Sequence, residues 1–306
     1  MIPIEANIIH HCHSRPVSEY WGKLQRESIK LLVIPCYDTE SRNFHPLEGG
    51  GMLPTGEIAR RLRDIVSRKS ENRIVKEVRF GLSYVGVRLD NQTMGLAALL
   101  FHEPPPGCSV IPTAGTLAGT TASYLLKNLT EGQNPLEKAI GLATANAVLQ
   151  PLTVYNERDS LAIMNLTPDD RVAMVGLFSP MISKIEATGA KLSVIERDPA
   201  RMAVLDKKEA DRILEECTVA IITATTILND TLEEVLNTLR NPRHVAVLGP
   251  STPLCPGIFQ DTPVTHLGGA VVRDTDKVMQ IISEGGGTRT MRPCLRFVNF
   301  LLPKDS

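Results

Sequence analysis

The residues best suited to chemistry gather after a series of short apolar runs in the second half of the chain. Gly176-Leu177-Phe178-Ser179-Pro180 follows the first run and Glu196-Arg197-Asp198 the second. Thr223-Ala224-Thr225-Thr226-Ile227-Leu228-Asn229 follows the third, and Gly249-Pro250-Ser251-Thr252-Pro253 the fourth. Gly268-Gly269 and Glu284-Gly285-Gly286-Gly287-Thr288 come later. The hydroxyls and amide of Thr225, Thr226, Asn229, Ser251 and Thr252 suit recognition of a polar organic molecule, because transition metals prefer His, Cys and carboxylate ligands. Capping and turn formation use the same residue types. Gly176, Phe178 and Pro250 stand in the same loops and are read with them as ligand-binding. Glu196, about 20 positions past the first-turn glycine, can accept hydrogen bonds from vicinal donors; it can equally be a strand-end acid paired with Arg197 or a lysine. Glu284 is the candidate acid/base for a condensation or hydrolysis, because glycines beside it allow close approach to a ligand. Ser251 as a nucleophile has no histidine near it in sequence. Gly285 and Gly286 read as a flap or a backbone anion nest, or as a linker to the last strand.

These loops need a frame, and the pattern from residue 160 onward supplies one. Apolar runs at 172–176, 192–196, 219–223, 245–249 and 265–272 show no alternation, and helical stretches at 180–188, 206–216, 230–239 and 274–282 separate them. Strands without alternation are buried on both faces, which predicts a parallel sheet covered by helices: a Rossmann-like, doubly wound domain over 160–306. In such a sheet the ligand crevice lies beyond the carboxyl ends of the strands. Residues 295–302 read as a closing strand, and Asp230 with Glu233 as the capping residues of the 230–239 helix. The dinucleotide fingerprint G-x-G-x-x-G is absent: the first turn has one glycine, with Phe178 and Pro180 where a pyrophosphate needs open backbone. The missing fingerprint counts against a classical NAD enzyme.

Residues 52–152 read differently, as an α+β module of strands followed by helices. Residues 77–89 form a β-rich run, Asp90-Asn91 a turn, and 93–101 a returning strand. A loop at 102–112 and helices at 117–129 and from Pro135 follow, the last with Asn134 as N-cap and Glu137 at the capping-box position. Thr113 and Thr116 precede the first of these helices. They either cap it or, with the free backbone N–H groups there, receive a polar ligand. Asn146, beside the apolar stripe of the second helix, is a core amide or a ligand contact.

The 306 residues carry 33 Lys+Arg and 34 Asp+Glu, a net charge of −1 that lacks the basic footprint of a general nucleic-acid binder. At 42% hydrophobic and 22% charged the composition is globular. No apolar stretch approaches the roughly 20 residues of a membrane span, and no secretory pattern opens the chain. Six cysteines without a CxxC read as reduced thiols, so the expectation is a cytoplasmic protein with a small-molecule partner, no nucleic acid and no membrane, with room for a homo-oligomer. Residues 1–51 hold His10, His11, Cys12, His13, Cys36 and His45 but no sustained period. Metal-site ligands normally come in spaced pairs, and the segment is expected to be a disordered or mis-annotated extension, with Met52 as the alternative start.

Taken together, Val175 to Pro180, Val194 to Asp198, Thr223 to Asn229, Leu248 to Pro253 and Ser283 to Thr288 resemble the heavy-metal chelation domain family over about residues 53–302. The resemblance implies an enolase N-terminal-like domain joined to the Rossmann-like one, with a site between them for a pterin-, flavin- or siderophore-like chelator. It names no cofactor. The histidines and cysteines after residue 51 are scattered, so any metal handling is expected to run through an organic molecule. Three functions follow as expectations: an enzyme acting on a chelator precursor, a non-catalytic chelator or metal carrier or sensor, and an S-adenosylmethionine-dependent methyltransferase-like enzyme. The single-glycine first turn counts against the last.

Overall fold

The computed structural model describes residues 52–100, 110–149, 155–196 and 206–302, and the backbone of 30–33. The histidine tract at 10–13, the glycines 49–51, the prolines 104–106 and Arg197-Asp198 lie outside the described residues. Within the first 51 residues, β1 (Lys30–Val33) adds a parallel edge strand to the large sheet.

Helix α1 (Glu57–Glu71) buries Ile58, Leu62 and Val66, while Ile65 is 47% exposed. Its N-cap, Gly56, has φ 75 and no side chain to offer, so the cap comes from elsewhere in the chain. Next come β2 (Val75–Phe80), β3 (Tyr84–Leu89) and β4 (Met94–Ala98), an antiparallel sheet in that order. The run read as one strand at 77–89 is thus broken. Gly81 N–H returns to Tyr84 O at 2.9 Å, making the turn.

The helix expected at 117–129 begins later. Gly119, with φ 87, carries the chain into a pairing with β2 (Gly119 N–H to Val75 O, 2.8 Å), which keeps 113–120 out of a helix. Thr121 caps α2 (Ala122–Leu126) by accepting from Tyr124 N–H, and α3 (Asn128–Glu131) follows. Tyr124 on α2 is 48% exposed. α4 (Pro135–Val148) starts as read: Asn134 Oδ1 accepts from Glu137 N–H at 2.9 Å, and Glu137 in turn accepts from Gln133 N–H at 2.7 Å.

Beyond α5 (Ser160–Met164) the alternating pattern appears as β5 (Arg171–Val175), α6 (Ser179–Glu186), β6 (Lys191–Glu196), α7 (Lys207–Glu216), β7 (Val219–Thr223), α8 (Leu232–Thr238), β8 (His244–Leu248) and β9 (His266–Val272). Then come α9 (Thr275–Ser283), α10 (Thr288–Met291) and β10 (Leu295–Leu301). The sheet order is β1-β6-β5-β7-β8-β9-β10, parallel except for β10 against β9. The fold is α/β: a doubly wound, mainly parallel Rossmann-like sheet preceded by a smaller α+β unit. Both faces of its strands are apolar. Ala173, Val175, Ala220 and Ile222 enter one cluster, and Val172, Met174, Val219 and Ile221 the other, as period-two side chains of a sheet covered on both sides must.

The small sheet is covered on both sides too. Gly95 lets α4 close in: a Cβ there would meet Ala143 O at 2.0 Å. On the opposite face Tyr84, Met94 and Leu96 pack against Val278, Met279 and Ile282 of α9. One apolar cluster spans α1, the small sheet and one face of the large sheet, reaching Ile258 and Phe259. Asp230 does not cap α8; Thr231 precedes that helix without a side-chain cap, and Asp230, with φ 55, pairs with Lys138. The acid expected to complete that cap, Glu233, is buried and accepts from Ile58 N–H at 2.9 Å, capping α1 across 175 residues.

Candidate ligand cavity

Five central strands run in the order β6-β5-β7-β8-β9, so the winding direction reverses between β5 and β7. The crevice beyond the strand ends at such a reversal is where doubly wound sheets bind ligands. The turn after β5 is tight. Gly176, with φ 84, sits where a Cβ would meet Thr223 Cγ2 at 2.6 Å, and only glycine fits both constraints. The next amide, Leu177 N–H, donates to Glu196 Oε2 at 3.1 Å, tying the ends of β5 and β6 together.

A cavity of about 720 Å³ opens here. Apolar walls come from Leu177, Phe178, Leu248 and Phe297, and hydroxyls from Ser160, Thr223, Thr225, Ser251 and Thr288. The small sheet contributes Tyr84 and Ala98. Gly249, with φ 120 and open space where a Cβ would stand, leaves the backbone bare on one wall. Tyr84 Oη lies 2.7 Å from Thr288 Oγ1, and burial pushes this phenol above its ordinary value, so it stays protonated.

A buried polar chain backs the cavity. Asn299 Nδ2 donates to the carbonyls of Arg158 at 2.8 Å and Asn156 at 3.4 Å, so its Oδ1 faces the other way. That oxygen accepts from Ser160 Oγ at 2.7 Å and lies 2.8 Å from His266 Nε2, which must therefore carry the proton. His266 Nδ1 is then an acceptor for His244 Nε2 at 3.1 Å. Burial lowers the His266 pKa.

The structure brings Phe178, Thr225, Pro250 and Ser251 into the lining. Gly176 and Glu196 support the adjoining turn. Thr226 is buried and donates to Thr223 O at 2.7 Å, and Asn229 Oδ1 accepts from Thr231 Oγ1 at 2.7 Å. Both serve turn geometry. Asn146, Thr252 and Pro250 line a separate hollow of about 230 Å³. Asn146 Nδ2 there donates to Leu96 O and Ser251 O, while Ser251 Oγ accepts from Ala98 N–H at 2.8 Å. Thr113 and Thr116 sit exposed in turns, Thr116 Oγ1 donating to Thr113 O at 2.9 Å. Glu284 is exposed at the end of α9, accepts from Gln280, and is absent from the lining. Gly285 and Gly286 pack as a helix-ending turn, their N–H groups on Ile282 O and Ile281 O. None of Glu196, Asn229, Thr252 and Glu284 lines the large cavity. Sequence reasoning missed Tyr84, Ser160, Asn299 and Arg292; the one signal for them was a lone amide, Asn299, inside a mostly apolar closing strand.

Among the described residues no three His, Cys, Asp or Glu side chains converge where they could hold a metal ion, and no helix is long and apolar enough to cross a membrane. Two family models carrying the description "Putative heavy-metal chelation" match the chain, one at residues 159–300 and one at 63–149. An uncharacterized protein of Methanocaldococcus jannaschii, MJ0500, is 27% identical over 236 residues, covering 73% of this chain and 88% of that protein. A crystal structure of a DUF364-family protein of unknown function from Pyrococcus horikoshii superposes with a TM-score of 0.69 at 20% identity, covering 80% of this chain and 100% of that one. One from Desulfitobacterium hafniense gives 0.66 at 23% identity, covering 79% and 98%. At these identities the structural likeness is one of fold.

Proposed function

The chain belongs to the heavy-metal chelation family, and from that premise we propose that its cavity binds a small, polar, chelator-like organic molecule of the pterin, flavin or siderophore type. The observation that carries this reading is the hollow of about 720 Å³ at the winding reversal, walled by apolar side chains and hydroxyls from both sheets. Its size falls in the range of small-molecule sites. Hydroxyls and guanidinium groups are poor ligands for a soft metal and good ones for the edges of a heterocycle, so a metal would arrive already chelated.

Carriage is the version of this reading that the lining favours over catalysis. Its two carboxylates, Glu157 and Asp159, are engaged with Arg296 at 3.4 Å and Lys184 at 2.8 Å, leaving neither free as a general base. A thermal-shift screen of the full chain against pterins, flavins and siderophores, with and without iron, zinc or nickel, tests the proposal. An organic compound should raise the melting temperature of the wild type and not of a Thr225→Trp variant that fills the hollow. Stabilisation by metal salts alone, with no organic compound active, would overturn it. Mass spectrometry of the bound compound after incubation separates carriage (unchanged) from turnover.

A further inference from the structure

Resting on that reading of the cavity, we infer that its guest carries an anionic group, a carboxylate or a phosphate, received by Arg158 and Arg292 while the organic body lies against the apolar walls. Five charged side chains line the hollow: Glu157, Arg158, Asp159, Lys184 and Arg292. Three of them are already committed. Asp159 holds Lys184 through Oδ2 and accepts from Leu161 N–H through Oδ1 at 2.9 Å, and the Lys184 hydrogen bond keeps its carboxyl below the usual range. Glu157 meets Arg296, whose guanidinium lies 4.9 Å from the centre of the Tyr155 ring. Arg158 and Arg292 meet no carboxylate among the described residues, so the lining keeps two uncompensated positive charges.

Neither arginine is placed at random. The Arg292 guanidinium sits 5.0 Å from the centre of the Phe297 ring, itself part of the wall. Stacking of this kind holds the planar group beside the hollow. The backbone of Arg158 is pinned on both sides, its N–H donating to Asn156 Oδ1 at 2.8 Å and its carbonyl accepting from Asn299 Nδ2 at 2.8 Å. A guanidinium matches the two oxygens of a carboxylate or phosphate, and such charge-assisted bonds are the strong ones. Both arginines are exposed, so added salt screens these bonds.

The test is calorimetric titration of the full chain with two matched pairs: flavin mononucleotide against riboflavin, and pterin-6-carboxylate against 6-methylpterin. Each pair keeps the ring system and removes the anion, one pair reporting on phosphate and the other on carboxylate. At least one anionic member should bind about tenfold more tightly than its neutral partner. That advantage should shrink as salt is raised and vanish in an Arg158→Gln/Arg292→Gln variant whose melting temperature matches the wild type. Equal affinity within both pairs, or an advantage that survives the double substitution, would overturn the inference and leave the organic-ligand reading standing. Binding of no member would overturn both.

Discussion

His266 Nε2 lies 2.8 Å from Asn299 Oδ1, and the contact fixes the orientation of one side chain and the tautomer of the other. Because burial disfavours the imidazolium, the folded chain prefers neutral His266. Stability from this group is complete above the ordinary imidazole value of 6.5 and declines as pH falls below it, since the unfolded chain then binds the proton more readily. His266→Leu removes a partner from both Asn299 and His244 and should cost about 1–3 kcal/mol at pH 7. Urea midpoints at neutral and mildly acid pH check both statements: the acid-side decline should be shallower in the variant.

Asp170 and Arg243 carry a second loss of stability on the same, acid side of the pH axis, at lower pH than that of His266. Arg243 Nε and Nη2 donate to the two carboxylate oxygens at 2.8 and 2.7 Å, and this bond above all holds the Asp170 carboxyl far below its usual range. Stability from a depressed acid is present above its unfolded value of about 3.8 and is lost as pH falls through the folded one. Asp170→Asn should lose about 2 kcal/mol at pH 7. The gap from the wild type should close in strong acid, as followed by circular dichroism during acid titration.

Glu233 replaces a missing cap on α1. With Gly56 at the N-cap, Ile58 N–H relies on the Glu233 carboxyl. Glu233→Ala should lower stability by about 1–2 kcal/mol, while Glu233→Gln, which keeps an acceptor oxygen, should lose less. Hydrogen exchange at Ile58 should rise in the alanine variant and stay slow in the glutamine one.

Gly95 is a packing requirement. An added methyl would sit 2.0 Å from Ala143 O and 2.3 Å from Ala147 N, and both are helix backbone that cannot move as a side chain can. Gly95→Ala should cost about 3 kcal/mol or prevent folding. Gly257→Ala, where the nearest atom would be Ile65 Cδ1 at 3.5 Å, should be far milder. Paired denaturation curves decide it.

Much of the frame could be read in the sequence because two-sided burial writes itself plainly: Val172, Ala173, Met174 and Val175 are apolar whichever face they take. Lateral strand order leaves no such trace, since β6 lying outside β5 changes no residue type in either. The loops were legible as a set and not as individuals. Thr225 and Thr226 are adjacent hydroxyls, yet one lines the cavity and the other turns inward to Thr223 O. Glu284 looked reactive because glycines follow it, whereas those glycines close a packed turn that leaves the acid outside. Arg158 and Arg292 were invisible because an arginine's partners, or their absence, lie far away in sequence.

Ser251 belongs at once to the wall of the hollow and to the seam between the sheets, where its oxygen holds the last amide of β4 and its carbonyl holds Asn146. On the proposed reading, filling the hollow and fastening the two halves are coupled through this one residue. A guest that competes for the hydroxyl would loosen the joint, and one that leaves it alone would find the walls already set.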